Sequence, residues 1–248
     1  MTGVDRRVAM VSDGSGYVGP DLCRLLAELG HDLVVGDPGP ELVGELRDLG
    51  ATVEVVEDVR DLAVEGTAER LLRGALDRFG RVDAAAAFTG RIVVGRFLHS
   101  EVDDLRDALV GCIEAPYRFL RAVVPQMVEQ GGGQVLIFTS AAGARPTPGA
   151  PLYSSARAGA NMLVRNVAGE VARHDVQVNA LGTNFIDFPG FLQANRADDP
   201  EGRARVEASV PMRRLGMLDE VAHMAMPFLD GRSRFTTGQF VAFAGGWA

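Results

Sequence analysis

The chain has 248 residues and a formal net charge of −8, with 47% hydrophobic and 23% charged residues. This length and composition predict one α/β domain over residues 1–248, with enough apolar residues for a core covered on both sides. An acidic chain without a basic stripe also argues against a nucleic-acid-binding surface.

Strand-type and helix-type segments alternate along the chain. The predicted strands are Val8–Val11, Asp32–Val35, Thr52–Val56, Val82–Ala87, Gln134–Phe138, Gln177–Leu181 and Gln239–Ala242. The predicted helices are Pro20–Leu29, Glu41–Leu49, Thr67–Phe79, Val102–Gln130 with a bend near Pro116, Ser154–His174 and Leu218–Leu229. Buried-type strands separated by helices predict a doubly wound, Rossmann-like parallel sheet with helices on both faces. The polar stretch Gln193–Arg203 interrupts this pattern, and we interpret it as an insertion or lid.

The few cysteines and histidines limit redox and metal chemistry. Cys23 and Cys112 both lie in helical patterns, which favours a reduced protein over a disulfide-stapled one. The four histidines are scattered without metal-ligand spacing, so we predict no metal site. We expect a soluble, cytoplasmic protein without a membrane contact, because we find neither a signal-type start nor a run of about 18 apolar residues.

Three polar residues with a recognisable spacing follow the fifth predicted strand. Ser140 ends that region, Tyr153 comes thirteen residues later, and Arg157 stands four residues after Tyr153. A spacing of four puts Tyr153 and Arg157 on one face of a helix, which a hydroxyl at a strand end can meet. Taken singly, they suit a core-edge tyrosine, a solvated arginine and a capping serine. Together they predict a catalytic group of Ser140, Tyr153 and Arg157.

The arginine suggests how the tyrosine would work. A free tyrosine loses its proton near pH ~10, so acting as a base at neutral pH requires about 4 kcal/mol of stabilisation of the phenolate. A guanidinium about 4 Å away supplies roughly that amount at an effective dielectric constant near 20. The pattern therefore predicts a tyrosinate general base.

The turn after the first predicted strand, Ser12 to Gly19, lies where such a fold supports a pyrophosphate. Most of the chain resembles the short-chain dehydrogenase/reductase superfamily, whose turn reads Thr-Gly-x-x-x-Gly-x-Gly. Here Asp13 replaces the first glycine and Tyr17 the second. A carboxylate and an aromatic ring at these places argue against dinucleotide binding, so we predict no cofactor. Asp37 and Asp58-Val59 resemble the ribose and adenine contacts of this superfamily, and we interpret them as remnants or helix caps.

Two further positions depart from the superfamily. Its Asn-Asn-Ala-Gly after the fourth strand is here Ala87-Phe88-Thr89-Gly90, and its helix asparagine corresponds to Gly111. Groups that serve cofactor binding and proton relay in that superfamily are therefore replaced at several points.

The combined patterns resemble the halohydrin dehalogenases, a cofactor-free branch of the same superfamily. Ser140-x₁₂-Tyr153-x₃-Arg157 matches their Ser-x₁₂-Tyr-x₃-Arg, and Ser12-x₄-Tyr17-x-Gly19 matches their Thr-x₄-(Phe/Tyr)-x-Gly with serine for threonine. The resemblance covers nearly the whole chain. Three segments look most like the subgroup that accepts bulky cyclic epoxides: residues 15–20, residues 182–191 and Gly245-Gly246-Trp247.

This resemblance implies a carbon–halogen lyase that interconverts vicinal halohydrins and epoxides and opens epoxides with small anions. Tyr153 would take the substrate's hydroxyl proton, Ser140 would bind that hydroxyl, and Arg157 would favour the phenolate. The small anion would bind at a site formed by Ser12, Tyr17, Thr183, Asn184, Phe185 and Ile186. The long helices imply a homotetramer, and Trp247 would reach a neighbour's pocket or plug the subunit interface.

Two alternatives stay open from the sequence. One is an NAD(P)-dependent short-chain oxidoreductase with an atypical glycine loop. The other is a superfamily member that kept the fold without catalysis.

Overall fold

The computed structural model describes residues 6–248. Seven parallel strands form one sheet in the order β3-β2-β1-β4-β5-β6-β7. The strands are β1 (Val8–Val11), β2 (Asp32–Gly36), β3 (Val53–Val56), β4 (Ala84–Phe88), β5 (Gly133–Ser140), β6 (Val176–Thr183) and β7 (Phe240–Phe243). Each predicted strand is present to within two or three residues at its ends, and the predicted doubly wound α/β fold is confirmed.

Nine α-helices cross over between the strands within residues 6–248. They are α1 (Gly19–Glu28), α2 (Pro40–Asp48), α3 (Thr67–Phe79), α4 (Val102–Leu109), α5 (Ala115–Gln130), α6 (Pro151–Val171), α7 (Pro189–Ala194), α8 (Pro200–Ala208) and α9 (Leu218–Ala225). Two large clusters of buried apolar side chains, one on each face of the sheet, fill the space between strands and helices. This explains why the strands are apolar without alternation.

The strand order reverses between β1 and its two neighbours, β2 and β4. In an open parallel sheet, ligands bind outside the carboxyl ends of the strands at such a switch point. The carboxyl ends of β1, β4, β5 and β6 therefore form the edge of the sheet where a ligand is expected to bind.

The predicted long helix Val102–Gln130 is present as one uninterrupted helical run with these ends. It consists of α4, a wide π-type turn at Val110–Glu114 and α5, and Pro116 lies in the first turn of α5. Proline has no N–H to give the preceding turn, and its ring collides with the carbonyl of the residue four positions earlier. The irregular turn therefore lies directly before Pro116, near the predicted bend.

The stretch Gln193–Arg203 contains the end of α7 and the beginning of α8, in the connection between β6 and β7. The Asp199 side chain accepts a hydrogen bond of 2.7 Å from the Gly202 N–H, and Pro200 stands in the first turn of α8. An aspartate cap followed by proline is a normal helix start. The stretch is therefore helical in part, and its interpretation as part of an insertion or lid stays a prediction. No helix among the described residues is long and apolar enough to cross a membrane.

Candidate active site

The three residues predicted to be catalytic lie at the carboxyl edge of the sheet. Ser140 is the last residue of β5, and Tyr153 and Arg157 lie one turn apart in α6. All three are buried, with 7%, 9% and 4% of their surface exposed, respectively. The Ser140 hydroxyl accepts a hydrogen bond from the Ala142 N–H at 3.1 Å and donates to the Thr183 carbonyl at 3.4 Å. These contacts fix the hydroxyl at the joint between β5 and β6.

The Arg157 guanidinium faces the ring of Tyr153. Its central carbon lies 5.2 Å from the ring centroid. The four-residue spacing on α6 produces this contact, as predicted from the sequence. A permanent cation is thus held against the ring of a buried tyrosine.

The ring of Tyr17 fills the crevice between the first turn and β4. It lies edge-on to Phe88 and Phe188, with centroid distances of 6.1 and 4.9 Å. Its hydroxyl donates a hydrogen bond of 2.6 Å to the Thr183 hydroxyl. Burial raises the pKa of Tyr17 to about 12, against a smaller lowering by the Thr183 hydrogen bond. Tyr153 and Arg157 also act on the pKa of Tyr17 through charge, so all of these groups share one site.

The remaining residues of the predicted anion site are placed differently. Ser12 is buried, and its hydroxyl accepts a hydrogen bond of 3.0 Å from the Phe88 N–H, tying β1 to β4. Asn184, Phe185 and Ile186 line a separate cavity of about 290 Å³, whose other walls come from residues 210–220 and 242–246. None of Ser140, Tyr153 and Arg157 lines that cavity. The structure therefore brings Tyr17 and Thr183 to the triad, while Ile186 packs in the same apolar cluster as Tyr17 and residues 184–186 also line this separate cavity. The anion site itself stays a prediction.

The first turn satisfies its own polar groups. The Asp13 carboxylate accepts hydrogen bonds from the Ser15 N–H at 2.9 Å and the Ser15 hydroxyl at 2.7 Å, and Arg60 lies 3.5 Å from its other oxygen. At the end of β2, the Asp37 carboxylate accepts from the N–H groups of Asp58 and Val59 at 2.6 and 2.9 Å.

These contacts test whether a dinucleotide fits. In related folds, backbone N–H groups of this turn hold a pyrophosphate, and the acid after the second strand holds a ribose. Here a carboxylate already uses the Ser15 N–H, backbone groups already use Asp37, and the Tyr17 ring fills the crevice. The residues of this turn do not fit a nicotinamide dinucleotide. No cluster of three potential metal ligands occurs among residues 6–248.

Sequence reasoning missed one partner of the triad, Thr89, and one neighbour of Tyr17, Phe88. Both terminal nitrogens of Arg157 donate to Thr89, just beyond β4. The aromatic side chains of Phe88 and Phe188 pack against Tyr17. The replacement at Phe88-Thr89 signalled a change at this place, but not which side chains these residues contact.

Two predictions about a second subunit stay predictions. Trp247 packs within its own chain, against Phe185 at 5.4 Å and the Arg145 guanidinium at 4.7 Å. The helices α4 to α6 leave several large apolar side chains exposed, namely Leu105, Leu109, Tyr117 and Met162. Exposed apolar side chains of this kind are typical of a surface that contacts another chain.

Comparison with known proteins gives the family. A family described as enoyl-(acyl carrier protein) reductase matches residues 17–248. "Uncharacterized oxidoreductase YohF" of Escherichia coli is 27% identical over 97% of this chain and 95% of its own length. "Oxidoreductase UcpA" of Escherichia coli is 28% identical over 97% and 94%. A solved structure called "Dehalogenation enzyme" superimposes with a TM-score of 0.82 and 28% identity, covering 98% of both chains.

These comparisons contradict the predicted enzyme class. The relatives are named oxidoreductases and dehydrogenases rather than carbon–halogen lyases. The family match extends across the three residues predicted to be catalytic and nearly the whole fold. The chain belongs to the short-chain dehydrogenase/reductase superfamily, in the family described as enoyl-(acyl carrier protein) reductase.

Proposed function

We propose that this site exchanges a proton between Tyr153 and an oxygen atom of a small substrate that bears a hydroxyl group or yields one. The observation that carries the proposal is the buried guanidinium of Arg157, 5.2 Å from the Tyr153 ring, beside the fixed hydroxyl of Ser140. Ser140 would hold the substrate oxygen, Tyr153 would give or take its proton, and Arg157 would stabilise the negative charge that results.

Aromatic side chains beside the triad favour a compact, largely apolar substrate. Tyr17 packs against the rings of Phe88 and Phe188. Aromatic rings attract hydrocarbon groups and offer few hydrogen bonds, so polar recognition would rest on Ser140, Tyr153 and Thr183.

The first candidate reaction is the oxidation of an alcohol or the reduction of a carbonyl group. The family and the names of the relatives support it. Such a reaction requires a hydride carrier, which in this superfamily is a nicotinamide dinucleotide. Because the residues of the first turn do not fit that group, we derive no step through it.

The second candidate is the reversible closure of an epoxide, which a specific observation favours. Tyr17 donates to the Thr183 hydroxyl beside the triad, and the remaining proton of Thr183 would bind a small anion there. Tyr153, as phenolate, would take the substrate's hydroxyl proton. The alkoxide would then bond to the neighbouring carbon while the bond from that carbon to the anion breaks, and the anion would leave with the electron pair. The structural likeness to the "Dehalogenation enzyme" also supports this candidate.

One pair of measurements separates the two reactions. The protein is titrated with NADH and NADPH, and the fluorescence of Trp247, its single tryptophan, is followed. In parallel, the opening of a cyclic epoxide by azide or bromide is followed without dinucleotide. Saturable micromolar binding with turnover of an alcohol or ketone supports oxidoreduction and excludes the second candidate. Anion-dependent opening without dinucleotide binding supports epoxide chemistry.

The variant Tyr153→Phe is the control for both measurements. It should abolish whichever turnover is observed while leaving the protein folded. If neither turnover occurs, or if this variant retains full turnover, the proposed proton transfer is wrong, and a non-catalytic member of the superfamily is the better description.

A further inference from the structure

The segment Thr89–Arg91, which follows β4, has no part in the proton transfer described above. Thr89 nevertheless accepts both hydrogen bonds that Arg157 makes within residues 6–248. One guanidinium nitrogen donates to the Thr89 hydroxyl at 3.2 Å and the other to the Thr89 carbonyl. The third nitrogen, Nε, is buried without a hydrogen-bond partner. Thr89 is therefore the residue that fixes the guanidinium by hydrogen bonding.

The Thr89 hydroxyl is itself held in a defined direction. It donates a hydrogen bond of 2.9 Å to the Phe138 carbonyl of β5, so its lone pairs are left to accept from Arg157. Since β4 and β5 are paired neighbours, this bond connects Arg157 to the rigid centre of the sheet. The single hydroxyl proton is thus used on the Phe138 carbonyl, and a lone pair faces Arg157.

Gly90 leaves space for the guanidinium. Its φ is +122°, and a β-carbon built on it would lie 1.8 Å from Nη2 of Arg157 and 2.5 Å from Cζ. Any side chain at residue 90 would therefore push the guanidinium away from its present position. The glycine is required here by the close approach of Arg157.

Gly111 lies on the other side of the segment Thr89–Arg91, against Arg91. It lies in the π-type turn Val110–Glu114, and a β-carbon on it would come within 2.3 Å of the Arg91 N atom. The helix backbone therefore packs directly on the residue that follows Gly90. π-type turns are often found at functional sites. The segment 89–91 is thus held between this turn and the guanidinium of Arg157.

We propose that Thr89 is a positioning residue that holds Arg157 against Tyr153, with Gly90 and Gly111 providing the space. This inference gives a common purpose to two departures from the superfamily pattern, at Thr89 and at Gly111, and to the glycine that is kept at residue 90. It rests on the proposed function, in which Tyr153 exchanges a proton next to Arg157.

The test compares Thr89→Val with Thr89→Ser. Valine keeps the shape and removes the hydroxyl, whereas serine keeps the hydroxyl. Ionisation of Tyr153 is followed by near-ultraviolet absorbance as pH rises, and the trace of the matching Tyr153→Phe protein is subtracted to remove the other two tyrosines. Thr89→Val should move the midpoint of this ionisation upward by about one pH unit, a tenfold change in the phenolate-to-phenol ratio. Thr89→Ser should leave it near the wild-type value.

Two further variants complete the experiment. Gly90→Ala should move the midpoint in the same direction as Thr89→Val, and it replaces that variant if Thr89→Val fails to fold. Thr147→Val is the matched control, because the Thr147 hydroxyl also binds backbone carbonyls but has no contact with Arg157. It should leave the midpoint unchanged.

The proposal is overturned if Thr89→Val or Gly90→Ala folds with an unchanged midpoint, or if serine and valine at residue 89 behave alike. The titration uses no substrate, so it reads the position of Arg157 even in a protein that turns nothing over. Failure of the proposed function would appear instead as absent turnover with an intact response to Thr89.

Discussion

Two neighbouring regions at the carboxyl edge of the sheet differ in how closely they follow the superfamily's sequence pattern. The β5–α6 region keeps Ser140, Tyr153 and a cation at the superfamily's spacing. In the β1–α1 turn, by contrast, the chain's own groups occupy the polar positions: Asp13 binds Ser15, and Tyr17 binds Thr183. The residues proposed to transfer a proton thus keep the superfamily's spacing, while the turn that holds a dinucleotide in related folds is rebuilt from side chains.

The largest effect should come from removing the phenol of Tyr153. General acid–base catalysis contributes about 10² to 10⁴ in rate, so Tyr153→Phe should lower kcat/KM by roughly that factor. Tyr117→Phe is the control, since Tyr117 is 52% exposed on α5. Steady-state kinetics on whichever substrate the turnover measurements identify would measure both variants. Equal losses from the two variants would contradict a specific role of Tyr153 in proton transfer.

A smaller effect is expected from emptying the crevice at Tyr17. Tyr17→Ala removes a ring packed on Phe88 and Phe188, and it should lower the free energy of unfolding by about 3 kcal/mol. Tyr17→Phe keeps the ring and loses only the hydrogen bond to Thr183, which is worth about 1 kcal/mol. Urea denaturation would measure both. A loss below about 1 kcal/mol for alanine would mean that the ring is not part of the packed structure.

The smallest effect concerns alkaline pH. Burial raises the pKa of Tyr17 from 10.0 to about 12, so the folded protein keeps a proton that the unfolded chain releases. This contribution to stability is complete below about pH 10 and is lost as pH rises toward 12, by at most about 2 kcal/mol. The wild-type protein should therefore lose more stability than Tyr17→Phe between about pH 9 and 11.5. Parallel pH curves for the two proteins would contradict the burial of this hydroxyl.

Local patterns were enough to predict much of the fold. Helix α3 begins and ends as predicted, because Gly66 and Gly80 bound it in left-handed conformations. The contact between Tyr153 and Arg157 was also predictable, since it follows from helix geometry alone.

Long-range contacts and backbone conformation account for features that the local patterns did not predict. The contact of Arg157 with Thr89 joins residues 68 positions apart, and it depends on the pairing of β4 with β5. Phe185 has a φ of +58°, and the residues around this turn line a different cavity although they directly follow Thr183. Neither feature can be predicted from the spacing of residues that are close in sequence.

The backbone of Tyr17 has a consequence for how this turn could change over evolutionary time. Its φ of +49° lies in the left-handed region, which costs a residue with a β-carbon about 1 kcal/mol and glycine almost nothing. A glycine could therefore enter at this position without refolding the turn or moving the start of α1. Exchange of Tyr17 for glycine would remove the ring from the crevice, and the reverse exchange would put it back. Each change needs only one amino-acid substitution.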